Sequence, residues 1–343
     1  MSVAAAVAFD GGIFDDSRPG GVQIAFLEAL SGYGEAFPGS ARLLVPPGAR
    51  LPDLPGIDVI ETTCVQGPIA REFRLPGLLR RLRSRIYHSP VAAICGATPL
   101  PIVATIHDLP WANADLPREN GHGLRHRRAF TRAMRRAAAV IVPSNATADD
   151  ARTLLPRHAA KLHVIHHGIA LPKVFDPAPH LGPFLTLGDD RPRKNLEHIV
   201  RGHALATARD SSLPPLLQVG PRRESSAARV VDESGKRHEL SRARALLQVS
   251  LHEGFGLPVV EAMGHGTPVI VSKRGSLPEI GGDAAIAIDA RDLEALADAL
   301  TRLWRDEEEW RRRSRLGRQR AAHFTPERTA RAWHAVHREL GGG

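Results

Sequence analysis

Short apolar runs alternate with longer stretches of helical spacing along almost the whole chain, and this alternation constrains the fold most strongly. A buried parallel strand reads as a short continuous apolar run, and consecutive parallel strands need a crossover that is usually a helix. The pattern therefore predicts βαβ units, which build doubly wound parallel sheets. The candidate strands of the first half are Val3–Phe9, Arg42–Val45, Asp58–Glu61, Arg85–His88, Ile102–Thr105, Val140–Val142 and Leu162–His166.

A proline-rich connection, Leu171–Pro179, interrupts this series without helical or strand periodicity. We therefore predict an α/β protein of two Rossmann-like domains, residues 1–172 and 173–321, and 343 residues suffice for two separate cores. Ligands of such sheets lie beyond the carboxyl ends of the strands, so we expect the domains to face each other across a cleft. The candidate strands of the second half are Pro183–Leu187, Leu216–Val219, Ala245–Ser250, Pro268–Val271 and Ala285–Ile288.

The formal net charge of +9 and the pI near 10.4 indicate anionic partners. Arginine supplies most of this charge, in three stretches: Arg71–Arg85, Arg125–Arg136 and Arg311–Arg320. The first two read as helices whose basic faces contact an anionic membrane or an acidic acceptor, or are simply solvated. Few aromatic residues interleave with these arginines, so we predict no nucleic-acid partner.

Other features of the chain favour a cytoplasmic protein that contacts a membrane at most peripherally. No apolar run approaches the roughly 18 residues that span a bilayer, and Met1–Phe9 has no basic leader of the kind that begins a signal peptide. Two cysteines, Cys64 and Cys95, provide neither a disulfide framework nor a zinc site. No neighbouring Cys, Asp or Glu completes a ligand set around His163, His166 and His167, so we expect no metal site.

The segment His252–Ser272, HEGFGLPVVEAMGHGTPVIVS, carries two glutamates across a glycine-rich turn and a helix start. Glycines let backbone amides approach a ligand, and Pro258 suits the first turn of a helix that begins at about Leu257. The free amides at a helix start commonly bind anions such as a diphosphate. Glu261 lies about one turn further along the helix, within reach of sugar hydroxyls. An ordinary helix-to-strand crossover with solvated glutamates fits the spacing equally well.

Three other segments place polar residues or glycines where parallel sheets bind ligands. Gly20 and Gly21 open a helix after the first strand, where a glycine pair either cradles phosphate or is only a turn. His107 and Asp108 follow the strand Ile102–Thr105 and form either a site or a structural pair. Arg193-Lys194 lies in a turn before a helix, where the two cations either neutralise a diphosphate or face solvent.

The sequence from Glu253 to Glu261, with Gly-Phe-Gly-Leu-Pro following the first glutamate, resembles the signature of the retaining glycosyltransferases of family four. These enzymes have the two-domain GT-B fold. In that family the first glutamate contacts the donor sugar and the second the ribose, while the amides between them hold sugar hydroxyls and phosphate. The resemblance implies these roles for Glu253, for Glu261, and for Gly254, Phe255, Gly256 and Leu257.

Further strings extend the resemblance over most of the chain. The string PGGVQIAFLEAL is similar to the start of family members, whose glycine loop borders the donor phosphate, which implies that role for Gly20 and Gly21. Ile24 replaces the usual arginine there. The segment TIHDL implies that His107 approaches the donor sugar, and Pro-Arg-Lys-Asn implies that Arg193 and Lys194 bind the pyrophosphate. The final helix, residues 322–343, is expected to pack back on the N-terminal domain.

The resemblance implies a metal-independent enzyme that needs no cofactor and moves a sugar, with retention, from a nucleoside-diphosphate sugar to a hydroxyl of a glycan, lipid or small molecule. Glu253 and His107 would be catalytic. A phosphorylase or sugar-nucleotide hydrolase of the same fold, or a non-catalytic GT-B binding protein, remains an alternative. Two departures from the family pattern favour the binding protein: Asp189-Asp190 precedes the basic turn, and Pro221–Arg244 has room for about two short helices but no strand beside the base pocket.

Overall fold

The computed structural model describes residues 6–14, 20–113, 115–116, 123–172, 181–189, 191–220 and 231–341. The chain divides into two compact units: unit 1 comprises residues 1–112, 120–170 and 325–343, and unit 2 comprises residues 113–119 and 171–324. Within the described ranges, each unit has a parallel sheet, of seven strands in unit 1 and five in unit 2. In those ranges no helix has the length and apolar character needed to cross a membrane.

Strands and helices alternate through the described part of the chain, as the βαβ pattern requires. The strands are β1 Val7–Asp10, β2 Ala41–Val45, β3 Ile57–Glu61, β4 Ile86–Ser89, β5 Ile102–Thr105, β6 Ala139–Val142, β7 Leu162–Val164, β8 Phe184–Leu187, β9 Leu216–Val219, β10 Ala245–Gln248, β11 Val269–Ser272 and β12 Ile286–Ile288. The α-helices are α1 Gly21–Ala36, α2 Gly67–Phe73, α3 Leu75–Arg81, α4 Gly123–Arg136, α5 Asn145–Leu154, α6 Leu196–Arg209, α7 Glu233–Arg242, α8 Leu257–Gly264, α9 Leu277–Gly281, α10 Leu293–Arg305, α11 Glu307–Ala321 and α12 Pro326–Gly341.

The sheet of unit 1 has the order β3-β2-β1-β4-β5-β6-β7. Strand β1 pairs in parallel with β2 on one side and β4 on the other, with Val7 opposite both Ala41 and Ile86. The chain thus runs outward in one direction and then returns to the middle of the sheet, which creates a switch point at β1 and β4. Open parallel sheets bind their ligands beyond the carboxyl ends of the strands at such a point.

Two apolar layers cover the sheet of unit 1, and its inner strands β1, β4, β5 and β6 are buried on both faces. On one side Phe9 packs against Phe26 of α1 and Trp333 of α12, while Leu79 and Phe130 belong to the other layer. A Cβ atom on Gly32 of α1 would lie 2.5 Å from the carbonyl carbon of Pro326, so glycine is what allows α1 and α12 to meet this closely. The hydroxyl of Thr325 accepts from the amide of Arg328 at 3.4 Å and caps α12.

The sheet of unit 2 has the order β12-β11-β10-β8-β9, and all of its neighbouring strands are parallel. Its switch point lies between β8 and β10, which pair with Leu185 opposite Leu246. Phe184, Leu247, Ile270 and Leu300 belong to its core. The segments that follow β8 and β10 consequently begin side by side at the carboxyl edge of this sheet.

The structure confirms the predicted α/β fold of two doubly wound sheets, and each predicted strand overlaps an observed one. Residues 3–5 of the predicted strand Val3–Phe9 lie outside the described residues. Strand β7 ends at Val164, before the predicted end at His166. Helix α7 lies within the segment Pro221–Arg244, and no strand occurs in the portion of it that the structure describes. Residues 221–230 of that segment lie outside the described residues.

Candidate active site

The carboxyl edge of unit 2 brings the basic turn and the first glutamate together. Arg193 and Lys194 lie on a short 3-10 turn, Pro192–Lys194, that follows β8, while Glu253 follows β10. The amide of Leu251 donates to the carbonyl of Arg193 at 2.8 Å, so the two loops are joined through their backbones. The pairing of β8 with β10 thus accounts for a contact between residues that are far apart in sequence.

The carboxylate of Glu253 is buried and accepts hydrogen bonds on both oxygens. Its Oε1 accepts from Lys194 Nζ at 2.7 Å, from Gln248 Nε2 at 2.8 Å and from Ser250 Oγ at 2.8 Å. Its Oε2 accepts from Arg193 Nη1 at 3.3 Å. Burial alone would raise the pKa of Glu253, but the two cations and these hydrogen bonds outweigh it and lower the pKa to about 2. Glu253 is therefore ionised at neutral pH.

The backbone around Glu253 is fixed from the side of α9. Ser276 Oγ donates to the carbonyls of Glu253 and Phe255 at 3.0 and 2.7 Å, and the Ser276 amide donates to the Glu253 carbonyl at 3.1 Å. Gly275 has φ 57°, and a Cβ there would lie 2.7 Å from the Glu253 carbonyl oxygen, so this approach requires glycine. The ring of Phe255 packs edge-on against Phe324, with centroids 5.8 Å apart.

The turn from Gly254 to Leu257 leads directly into α8, which begins at Leu257. Gly256 precedes the helix with φ 101°, and a Cβ there would lie 2.9 Å from Cδ2 of Leu277. The Gly256 carbonyl accepts from the amide of Val259 at 2.9 Å, which closes the first turn. Position 256 therefore requires glycine, because its φ is positive and because a Cβ atom there would clash with Leu277.

Asn195 ends the basic turn in the left-handed conformation, with φ 59°. Its Nδ2 donates to the carbonyl of Val249, after β10, at 3.0 Å and to the carbonyl of Ala290, after β12, at 2.7 Å. These bonds offset the cost of a left-handed non-glycine residue. The basic turn is therefore anchored to two neighbouring loops of the same sheet edge.

Asp189, the negative charge that departs from the family pattern, forms an ion pair within its own turn. Nε of Arg191 donates to Oδ2 and Oδ1 of Asp189 at 2.8 and 2.9 Å. Burial would raise the pKa of Asp189, but Arg191 lowers it below its ordinary value. The charge of Asp189 is thus balanced by Arg191, whereas Asp190 lies outside the described residues.

Glu261, on α8, faces Lys236 of α7. Its Oε1 accepts from Lys236 Nζ at 2.9 Å, and the same ammonium group lies 2.8 Å from a carboxylate oxygen of Glu233. The Oε2 of Glu261 is buried and has no hydrogen-bond partner among the described residues. Burial raises the pKa of Glu261, and Lys236 opposes that rise. The second glutamate therefore keeps one acceptor oxygen available for a hydroxyl donor.

His107 follows β5 in unit 1 and uses both ring nitrogens in contacts within that unit. Its Nε2 lies 2.7 Å from the carbonyl of Pro90, and its Nδ1 lies 3.1 Å from Nε2 of His167. Because a carbonyl only accepts, Nε2 of His107 carries the proton, and Nδ1 accepts from His167. Burial lowers the pKa of His107, so the ring is neutral at pH 7.

The glycine pair of unit 1 lies at the start of α1. The Gly20 amide donates to Oε1 of Gln23 at 2.5 Å, and Gly21 is the first residue of the helix. Nε2 of Gln23 donates in turn to the carbonyl of Ile13 at 2.7 Å. Gln23 therefore links the two sides of the loop between β1 and α1, of which residues 15–19 lie outside the described part of the chain.

A buried carboxylate at the end of β1 was not anticipated from the sequence. Asp10 accepts from the Gly12 amide at 2.8 Å, from Arg71 Nε at 2.7 Å and from the Tyr87 hydroxyl at 2.5 Å. Burial raises the pKa of Tyr87, and Asp10 raises it further. The interpretation of Arg71 as part of a surface stretch is wrong, because its side chain is only 11% exposed in this ion pair.

Four side chains that support the two glutamates were not predicted from the sequence: Gln248, Ser250, Lys236 and Ser276. A signal existed for the first two, which are polar residues two positions apart at the end of an otherwise apolar strand. Such residues point to the same face of a sheet. In the described ranges, no three His, Cys, Asp or Glu side chains are grouped so that they could hold a metal ion.

Two family models match the chain and together span more than half of it. The model described as Glycosyltransferase Family 4 matches residues 39–172, and the model described as Glycosyl transferases group 1 matches residues 230–320. The chain is 31% identical over 147 residues to O-antigen chain mannosyltransferase B of Escherichia coli, with 38% of each chain covered. It is 30% identical over 210 residues to MMP alpha-(1->4)-mannosyltransferase of Mycolicibacterium hassiacum, covering 55% of this chain and 51% of the relative. The chain thus spans about half or less of the length of these relatives.

Solved structures share the fold over nearly the whole chain. Sucrose-phosphate synthase from Thermosynechococcus elongatus superposes with a TM-score of 0.74 at 19% identity, covering 97% of this chain and 98% of that one. Anabaena HepE in complex with UDP and glucose gives a TM-score of 0.70 at 16% identity, covering 99% and 100%. At such low identity these likenesses show the fold alone. The two family models show that the chain belongs to glycosyltransferase family four, and the shared fold is the GT-B fold.

Proposed function

We propose that the protein transfers a sugar, with retention of configuration, from a nucleoside-diphosphate sugar to an acceptor hydroxyl on a glycan, lipid or small molecule. The observation that carries this proposal is the pair of cations, Arg193 and Lys194, that lies against the ionised Glu253 just before the start of α8. This arrangement suits the departure of a diphosphate, because negative charge grows on that group as the bond to the sugar breaks.

The two cations beside Glu253 favour binding of an anion. Arg193 and Lys194 both lie against this carboxylate, and their side chains are only 9% and 14% exposed. Lys194 Nζ has three N–H donors and uses one of them on Glu253 among the described residues. The amino end of α8 adds partial positive charge beside the glycine turn. A diphosphate bound there would receive charge-assisted hydrogen bonds from both side chains.

Glu253 serves in this proposal as a fixed negative charge and a hydrogen-bond acceptor. A carboxyl with a pKa of about 2 neither gives nor takes a proton at neutral pH. It orients the donor sugar through that sugar's hydroxyls, and it holds Arg193 and Lys194 in position for the diphosphate. Glu253 and Lys194 therefore act as one electrostatic unit, and replacing either with alanine is expected to abolish transfer.

Other residues complete the donor site in the proposal. The unused oxygen of Glu261 accepts a hydroxyl of the ribose, and the glycine turn holds phosphate through its amides. His107, Gly20 and Gly21 take the donor-side roles that the family resemblance implies. Because both ring nitrogens of His107 already have partners within unit 1, its proposed role does not include proton transfer.

The names of the relatives agree with a hexose donor. Two of the matched relatives are mannosyltransferases, and HepE was crystallised with UDP and glucose and with UDP-glucose. The proposal requires no metal ion and no cofactor, so transfer should withstand EDTA. It also assigns the protein to the cytoplasm and gives it no nucleic-acid partner.

The experiment is a thermal-shift panel of UDP-, GDP-, ADP- and TDP-sugars, followed by a transfer assay with the donor that stabilises the protein. We expect one nucleotide class to raise the melting temperature, and Lys194→Ala to remove that shift and to lower transfer at least about 100-fold. The matched control is Arg201→Ala, which removes a cation of unit 2 that is 63% exposed. This control should behave like the wild type.

The alternatives predict different results in the same panel. A wild-type protein that no nucleotide stabilises would contradict the proposal and favour a non-catalytic binding protein. Release of the sugar to water or to phosphate, at a rate that added acceptors do not change, would instead identify a hydrolase or a phosphorylase.

A further inference from the structure

Helix α2 exposes two large apolar side chains to solvent. Ile69 is 75% exposed and Phe73 is 79% exposed, among the most exposed large apolar residues that the structure describes. The two residues are four positions apart and therefore lie on the same face of the helix. Grouped exposed apolar residues mark an interaction surface more often than isolated ones do. Helix α2 thus presents an apolar surface that suits an apolar partner.

Helix α4 is held beside α2 and continues this surface. Arg132 donates to both carboxylate oxygens of Glu72 at 2.7 Å, and the Gly96 amide donates to Oε2 of Glu72 at 3.1 Å. Arg136 then donates to the Gly96 carbonyl at 2.6 Å. Leu124, in the first turn of α4, is 65% exposed. Both helices belong to unit 1, and the Glu72–Arg132 ion pair joins α4 to α2.

The charge of this surface is strongly positive. Helix α4 contains no acidic residue, and Glu72 is the acidic residue of segment 66–85, where it is already paired with Arg132. The methylene chain of arginine is apolar and its guanidinium group is cationic. Arginines beside exposed apolar side chains therefore suit an interface between an apolar phase and water. The exposed arginines of this surface include Arg74, Arg80, Arg81, Arg125, Arg128 and Arg135.

We propose that this surface, defined by Ile69 and Phe73 of α2, Leu124 of α4 and the arginines around them, docks on an anionic lipid bilayer. Phe73 and Ile69 enter the interfacial region, while the arginines lie against lipid phosphates. A polyanion such as a nucleic acid or an acidic glycan would be held by the arginines and would leave the two apolar side chains of α2 without a partner. The apolar pair therefore singles out the bilayer. The inference concerns unit 1 and does not depend on the proposed transfer reaction.

The test is co-sedimentation of the full chain with vesicles of phosphatidylcholine alone or of phosphatidylcholine mixed with phosphatidylglycerol. We expect binding to the mixed vesicles only, and a loss of at least about tenfold in partitioning for Ile69→Ser with Phe73→Ser. Arg125→Gln with Arg128→Gln should also weaken binding, and added salt should do the same to the wild type. Because all four side chains are exposed, melting temperatures should remain those of the wild type.

The matched control is Leu181→Ser in unit 2, where the leucine is 78% exposed, as exposed as Phe73. Its partitioning should equal that of the wild type. Absence of sedimentation with the anionic vesicles would overturn the proposal. Binding that the arginine variants weaken but the Ile69 and Phe73 variants do not would also overturn it, because the surface would then attract anions by charge alone.

Discussion

Replacing Glu253 with glutamine tests the electrostatic reasoning about the site most directly. Glutamine has nearly the same size and retains a carbonyl acceptor, so the change removes the negative charge with little change in packing. Arg193 and Lys194 would then lie together without their common counter-ion. Since breaking a buried ion pair from one side leaves uncompensated charge, we expect unit 2 to lose stability as well as donor affinity.

The magnitude follows from the pKa of Glu253. A fall from the ordinary value of 4.5 to about 2 corresponds to about 3 kcal/mol of folding free energy at neutral pH. Because the pKa is lower in the folded state, this stability is complete well above the unfolded value and is lost as the pH falls toward the folded value. The difference between wild type and Glu253→Gln should thus be about 3 kcal/mol at pH 7 and less than half of that at pH 3.

The assay is urea denaturation followed by hydrogen exchange of the β10 amides, which reports on unit 2 by itself. Glu197→Gln is the control, because the Glu197 carboxylate is 88% exposed in the same unit, and it should change stability by less than about 0.5 kcal/mol. A difference for Glu253→Gln below that size at pH 7, or one that stays constant down to pH 3, would refute the reasoning.

Three further perturbations have defined outcomes. Burial lowers the pKa of His337 from 6.5 to about 3, so the free energy of unfolding of unit 1 should fall by about 2 kcal/mol between pH 7 and pH 5. His337→Gln should reduce this pH dependence in melting curves taken across that range. Lys236→Met should raise the pKa of Glu261 further and weaken donor binding progressively as the pH is lowered, whereas Lys236→Arg should retain the affinity in isothermal titration. Gly256→Ala should lower the free energy of unfolding by about 1–3 kcal/mol in denaturant, because alanine must adopt φ 101° and meets Leu277. Three results would contradict these predictions: an unchanged pH dependence for His337→Gln, an unchanged donor affinity for Lys236→Met, or an unchanged stability for Gly256→Ala.

The strands could be predicted from the sequence because parallel strands buried on both faces must be apolar throughout. Strand β11 illustrates this: Val269, Ile270 and Val271 are all buried, and the run ends at the edge of the sheet. Local rules also placed the start of α8, where a glycine with positive φ is followed by a proline in the first turn. Such features depend on residues that are close together in the sequence.

The partners of the site residues could not be predicted, because they depend on strand order. Lys194 meets Glu253 across 59 residues since β8 and β10 are neighbours, and nothing local in the sequence specifies that neighbourhood. Asp10 and Arg71 are 61 residues apart, and their ion pair could not be predicted because it also depends on the tertiary arrangement. The polar pair Gln248 and Ser250 was the signal that local reasoning could have used.

The two amide hydrogens of Asn195 are both engaged, one by the loop after β10 and one by the loop after β12. Asn195 therefore joins three neighbouring segments of the sheet edge. Lys194, the residue before it, lies on a backbone that is fixed before any ligand binds. Little conformational entropy remains to be lost there on binding, so more of the free energy of each diphosphate contact is retained as affinity. A substitution at Asn195 should weaken the donor complex although this side chain touches neither Glu253 nor, in the proposed site, the donor.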